Sequence, residues 1–283
     1  MKIAFSTLCC PNYEWKEIFT MATDLGFDGI EVRHVREDES KSPFSSEKCD
    51  ETAKMLKKMK VEIPCLSTDG CLKLDDLWKE TKAEILLYIS IAAKIGTKYI
   101  RILGDLHANP DGEVDDNAVC EKLKELAVYA EEAGVTLLVE TNGVYADTER
   151  LCNLLNNVAS DNVAALWDVH HPYRFFDESP ETTLTNLGAY IKHVHVKDSV
   201  INSDGNVEYK IIGEGDLPLN DIMLALKSIN YEGFVTLEWV KRWYPDLTDA
   251  CIIFPNFVDY MRAYTGASTH GSRLHDNNRG TGK

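Results

Sequence analysis

Long apolar runs are missing from this chain. Nowhere do roughly 18 apolar residues follow one another, and Met1-Lys2 passes straight into Ile-Ala-Phe without a basic-then-apolar leader. The expectation is a soluble, unexported, cytoplasmic protein with no membrane partner. Paired cysteine spacing is missing as well: the eight cysteines stand at 9, 10, 49, 65, 71, 120, 152 and 251 with no Cys-x-x-Cys. They read as reduced, buried thiols rather than a disulfide framework. Positive charge is scarce, with 30 Lys and Arg against 46 Asp and Glu and a formal charge of -16. That sign repels a phosphate polyanion, so nucleic acid is not an expected partner. Most of the acidic excess reads as solvated helix surface. No Gly-x-Gly-x-x-Gly follows a strand-like run, which removes the dinucleotide fingerprint of an open doubly wound sheet. Gly213-Glu214-Gly215-Asp216 reads as a turn.

What is present is enough apolar content, 44% of 283 residues, for one large core. Strand-like runs at Lys2–Leu8, Phe27–His34, Val61–Thr68, Lys98–Leu103, Val135–Glu140, Val163–Asp168, Tyr190–Lys197 and Gly233–Trp239 alternate with helical patterns. The helices fall at Glu14–Leu25, Ser45–Lys60, Leu74–Ile95, Val114–Ala133, Asp147–Val158, Pro180–Ala189, Leu217–Asn230 and Ile252–Tyr264. Gly26, Gly96 and Gly134 stop three of them, and Asp147 is placed as an N-cap. Eight strand–helix units in strict alternation predict an α/β fold, a single (β/α)8 TIM barrel over residues 1–264. The polar stretch 265–283 has almost nothing to bury and reads as a flexible tail.

Chemistry concentrates in Ile191–Asp198. Period 2 puts His193, His195 and Lys197 on one face and Val194 and Val196 on the other. A lone strand histidine is ordinarily a satisfied core residue. Its company changes that reading, because VTLLVE ends on Glu140, VAALWD on Asp168 and FVTLE on Glu238. In a barrel the carboxyl ends of the strands form the working face, so these last inward positions of strands five to eight converge. Three carboxylates and an imidazole suit a hard or borderline divalent metal ion, Mn²⁺, Mg²⁺ or Co²⁺, with Zn²⁺ also compatible. Around them Lys197, Arg33, Arg101 and His107 are candidates for gripping substrate oxygens or a phosphate; each has an alternative as a rim ion pair. Trp239 and Trp243, with Lys241 and Arg242, follow the last strand. They are either an aromatic substrate wall or burial against the last helix or a neighbouring subunit.

In chain order, Leu25-Gly26-Phe27-Asp28-Gly29-Ile30-Glu31, Val139-Glu140, Trp167-Asp168-Val169-His170-His171, His193-x-His195-x-Lys197-Asp198, Gly213-Glu214-Gly215-Asp216 and Leu237-Glu238 carry a resemblance. The chain resembles the xylose isomerase-like TIM-barrel superfamily of sugar and sugar-phosphate isomerases and epimerases, over nearly the whole barrel. The resemblance implies one divalent metal ion, Mn²⁺ first, on Glu140, Asp168, His195 and Glu238. It places His171 on the substrate side and turns His170 elsewhere. It implies an enzyme that transfers a proton next to a carbonyl through an enediolate, with Glu140 and Glu238 as the acid/base pair. A small carbohydrate substrate and a homo-oligomer belong to the same expectation.

The sugar 3-epimerase branch usually has a further glutamate six residues after the first metal glutamate; here that position is Ala146. The type IV AP endonucleases of the same superfamily share His-x-x-Asp-Ser, present as His195–Ser199, but the rest of their metal cluster is not evident. Similar barrels also serve as large subunits of C-glycoside deglycosidases, lyases that cleave the C–C bond of 3-oxo-C-glycosides with a small β-rich partner subunit. The aromatic, basic segment after Glu238 suits that alternative. A barrel that binds a sugar without catalysis is the third reading.

Overall fold

Eight parallel strands close on one another in the computed structural model, which describes residues 1–33, 35, 42–45 and 47–265. They are β1 (Lys2–Ser6), β2 (Gly29–Arg33), β3 (Cys65–Cys71), β4 (Tyr99–Leu103), β5 (Thr136–Glu140), β6 (Val163–Asp168), β7 (Ile191–Val196) and β10 (Phe234–Leu237). The barrel runs β1-β10-β7-β6-β5-β4-β3-β2. β8 (Asp198–Ile201) and β9 (Val207–Lys210) form an antiparallel hairpin in the loop after β7. Around the barrel lie α1 (Trp15–Leu25), α2 (Cys49–Met59), α3 (Trp78–Ile95), α4 (Asp116–Ala133), α5 (Thr148–Val158), α6 (His170–Phe176), α7 (Pro180–Leu187), α8 (Leu219–Ser228) and α9 (Ala250–Thr265). The fold is the (β/α)8 barrel that the strand–helix alternation predicts.

Local signals explain most element ends. Gly26, Gly96 and Gly134 adopt the left-handed conformation and cap α1, α3 and α4, as glycine alone does without strain. The Asp147 carboxylate accepts the Arg150 N–H at the start of α5. The strand expected over Val61–Thr68 begins later, at Cys65, because Pro64 has no N–H to donate; before it only one bridge forms, between Gly29 and Glu62. Two elements escape the periodicity reading. α6 is seven residues long, too short to show a period, and the β8–β9 hairpin lies between the expected seventh strand and the helix from Leu217, where no strand is predicted. Its Asp204-Gly205 turn, with Gly205 at φ +81°, is a legible hairpin signal.

Two apolar layers hold the barrel. Between strands and helices, Phe5 of β1 packs with Phe27 at 4.8 Å and with Phe254 of α9 at 4.2 Å between ring centroids, seating the last helix against the first strand. Leu138, Ala164 and Leu166, with Tyr99, form a separate cluster that plugs the barrel interior. Six cysteines are buried, Cys152 is half-buried and Cys251 exposed, all unbridged. Among the described residues no helix is long and apolar enough to cross a membrane. His34 and residues 266–283, the end of the expected second strand and nearly all of the expected tail, lie outside the described residues.

Candidate metal centre

Strand alternation lifts the same inward positions that carry the apolar plug into a polar layer at the carboxyl ends. Leu138 is followed inward by Glu140, and Leu166 by Asp168. The register sets Asp168 beside His195 and Thr236 beside His195, while the Glu238 N–H bonds the Val196 carbonyl and continues the β10 ladder. One ligand atom from each of Glu140, Asp168, His195 and Glu238 lies within 4.8 Å of the others, and all four residues are buried.

His195 decides what this cluster can hold. Its Nε2 donates to Glu31 Oε2 at 2.7 Å, which turns Nδ1 toward Glu140 Oε1 at 3.6 Å and Glu238 Oε1 at 3.4 Å. There Nδ1 has no hydrogen-bond partner although fully buried. A buried ring nitrogen left open among three carboxylates is the arrangement a divalent cation satisfies, and a histidine ligand held from behind by a carboxylate is its usual support. Glu31 is itself braced: Ser67 Oγ donates to Oε1 at 2.7 Å and His193 Nε2 reaches Oε2 at 2.8 Å. Sequence reasoning quoted Glu31 without giving it a role; its inward position on β2, opposite two strand histidines, is the signal that would have found it.

Cations clamp the outer oxygens. Arg101 Nε meets Glu140 Oε2 at 2.5 Å and its Nη1 donates to the Thr68 carbonyl at 2.8 Å. Lys197 Nζ donates to Asp168 Oδ2 and, at 2.5 Å, to Glu238 Oε2. Burial opposes ionisation of Glu140, but Arg101 and His195 override it and bring the carboxyl down to about 2. Burial likewise opposes a charged Glu238, yet Lys197 and His195 hold it well below the usual carboxylate range. Burial would lower Lys197, but Asp168 and Glu238 keep its ammonium charged.

The other candidates are distributed around this centre. His171 sits one turn past Asp168 with Nδ1 donating to the Thr141 carbonyl at 2.9 Å, and burial keeps its ring neutral. His170 turns away to Ser199 Oγ at 2.9 Å. Arg33 is buried at the end of β2 and pairs with Asp69 at 2.8 Å. His107 lies exposed in the loop between β4 and α4, and Ala146 ends a buried turn at Gly143–Ala146 without a ligating side chain. Trp239 is not a substrate wall. It belongs to the main apolar core, 2% exposed, with its indole N–H on the Thr248 carbonyl at 2.8 Å. Trp243, 52% exposed, is the tryptophan at the surface, its ring 5.8 Å from the Arg33 guanidinium and 5.5 Å from that of Arg242.

Two of the quoted motifs interlock as a clamp rather than as ligands. The Asp198 carboxylate accepts the backbone N–H groups of Gly213 at 3.0 Å and Gly215 at 2.9 Å, tying the loop after β9 back to the end of β7. A Cβ on Gly215 would lie 2.0 Å from Asp198 Oδ1, so only glycine allows this approach.

A family model described as xylose isomerase-like TIM barrel matches residues 19–251. The fructoselysine 3-epimerase of Shigella flexneri is 26% identical over 243 residues, covering 80% of this chain and 85% of that protein. The IolI protein, solved with a bound zinc atom, superposes with a TM-score of 0.78 at 20% identity over 94% of this chain and 100% of its own. The D-psicose 3-epimerase of Clostridium cellulolyticum H10, solved with D-tagatose, gives 0.74 at 20% identity over 93% and 99%. At those identities the two structures speak for the fold alone.

Proposed function

Since the chain belongs to the xylose isomerase-like TIM-barrel family, we propose that it is a divalent-metal-dependent sugar epimerase or isomerase acting at a carbon next to a carbonyl. The observation that carries this reading is the open, buried Nδ1 of His195 among Glu140, Asp168 and Glu238. The fructoselysine 3-epimerase relative supports a ketose as substrate class. A divalent ion, Mn²⁺ in first place, held by those four residues would polarise substrate oxygens and stabilise the negative charge that develops when the carbon is deprotonated.

The chain's own groups supply the rest. Glu140 and Glu238 stand on β5 and just past β10, strands with β6 and β7 between them. Each keeps Oε2 on a cation and turns Oε1 inward toward His195 Nδ1. One glutamate removes the proton from the substrate carbon; the other takes a proton from a substrate hydroxyl or water and delivers it to the opposite face, and the two exchange roles in the reverse reaction. Arg101 and Lys197 hold the two side chains in their rotamers. His171, with Nδ1 engaged by Thr141, offers Nε2 to a substrate hydroxyl.

Metal analysis of the purified protein beside Glu140→Ala, Asp168→Ala, His195→Ala and Glu238→Ala tests the centre. The expected result is about one ion per chain in the parent and loss in the variants. No bound ion after incubation with Mn²⁺ overturns the reading. Proton exchange from D₂O into D-fructose, D-psicose and D-tagatose, followed by NMR, then tests the chemistry. Glu140→Gln and Glu238→Gln are expected to lower kcat by at least about a hundredfold, the ordinary worth of a positioned acid or base.

A further inference from the structure

We propose that Tyr209, carried on the β8–β9 hairpin, is a substrate-binding residue whose phenol hydrogen-bonds a hydroxyl of the sugar away from its reacting carbon. The word sugar rests on the epimerase reading; the position of the phenol at the mouth of the centre rests on the following geometry.

β8 begins at Asp198, directly after Lys197. The antiparallel register sets Tyr209 opposite Ser199, and directly opposed residues of such a pair project from one face of the hairpin. Ser199 marks what that face meets. It is fully buried, with its hydroxyl 2.9 Å from His170 Nε2 and accepting Arg174 Nε at 2.8 Å. Tyr209 turns inward with it: its ring centroid lies 5.8 Å from that of His170 and 5.4 Å from that of Tyr244, in the segment after β10. The ring is thus gripped between the helix after β6 and the segment that follows Glu238. The Asp198 carboxylate, bonded to the Gly213 and Gly215 N–H groups, anchors the base of the hairpin.

The ring is held, but the hydroxyl is uncommitted. Among the described residues Tyr209 Oη has no hydrogen-bond partner, and it is open to solvent although the residue is half-buried. Tyr13, Tyr88 and Tyr145, by contrast, spend their hydroxyls on Asp249, the Val35 N–H and Asp116. The Tyr209 phenol also stands within the fields of Lys197, Asp168 and Glu238, and Lys197 feels it in return. Burial, reinforced by Tyr244, Asp168 and Glu238 against the pull of Lys197, pushes it up to about 12, so it remains a neutral donor near pH 7. Lys197 itself is committed to Asp168 and Glu238. A rigidly held donor at the rim of a polar centre, without a protein acceptor, is the kind of group that fixes the orientation of a small ligand. A site that bonds a substrate hydroxyl in this way discriminates against analogues lacking it.

Tyr209→Phe removes one oxygen and keeps the ring against His170 and Tyr244, so a purely structural role predicts no change. Binding is tested by calorimetric titration of the Mn²⁺-loaded protein with D-mannitol, a hexitol with no carbonyl to react. Saturable binding, weakened about three- to tenfold in Tyr209→Phe as the loss of one neutral hydrogen bond requires, supports the role. The second arm follows deuterium exchange on D-fructose and its 4-, 5- and 6-deoxy analogues. The substitution is expected to act through KM rather than kcat, by a similar factor. One deoxy sugar should show that same loss with the parent and no further loss with the variant, and it identifies the hydroxyl. If D-fructose exchanges its proton and Tyr209→Phe matches the parent in KM and in mannitol affinity, the role of Tyr209 falls and the epimerase reading stands. If no sugar exchanges while mannitol binds through Tyr209, the binding role stands and that reading falls. With neither binding nor exchange, both fall.

Discussion

Glu31 illustrates what one residue contributes without touching the reacting atoms. By accepting His195 Nε2 it presents the other nitrogen to the carboxylates, and Ser67 and His193 hold it in place. Glu31→Gln should weaken metal affinity by about 10- to 100-fold while leaving the barrel folded, as losses behind a metal ligand do; a chelator-competition titration measures it, and unchanged affinity would remove Glu31 from the centre. Lys197 plays a second part. Its ammonium bridges Asp168 and Glu238, so Lys197→Met strips two buried carboxylates of their shared cation at a cost of about 3–5 kcal/mol. The variant should therefore melt lower and gain more from added Mn²⁺ than the parent does. Equal gains in thermal scans would contradict this role. At this scale the clustering of Glu140, Asp168, His195 and Glu238 was legible because each lies at or within one residue of a strand's carboxyl end, whereas the burial of Trp239 was not: adjacency to Glu238 says nothing about which way a side chain turns once the strand has ended.

Among the elements, the loop leaving β7 is the one whose sequence carries the most unread information. Asp198 clamps Gly213 and Gly215, and Lys197 beside it points into the centre. Gly215→Ala drives a Cβ into the clamp, so it should destabilise by about 1–3 kcal/mol and raise hydrogen exchange at residues 213 and 215. Protection identical to the parent would show that the loop absorbs the methyl. α9 gives the packing counterpart: Phe254→Ala opens a void against Phe5 and Phe27 and should cost about 3–5 kcal/mol in denaturant unfolding. Glycine stops and the Asp147 cap were readable since they act within a turn of chain. The short α6 was not, for seven residues cannot display a period of 3.6.

As a whole molecule, the barrel exists to bring distant strands to one rim, and the centre draws residues from β5, β6, β7 and the end of β10. A cation that binds only the assembled rim stabilises the entire fold. At a hundredfold excess over Kd this amounts to about 2.7 kcal/mol, or on the order of 5–10 °C in Tm, reversed by a chelator. An identical Tm with and without Mn²⁺ would place no cation at this rim. Alternation of strand and helix, the period-2 placement of His195 and the carboxylates that close three strands were determined by sequence alone, because they depend only on local geometry and on the rule that a barrel works at its carboxyl ends. Barrel closure decided the rest. It set Glu31 behind His195 across 164 positions of chain, sent Trp239 into the core and Trp243 to the surface, and brought Tyr209 beside Tyr244. Those pairings join residues far apart in sequence, and such distances become fixed only when the last strand meets the first.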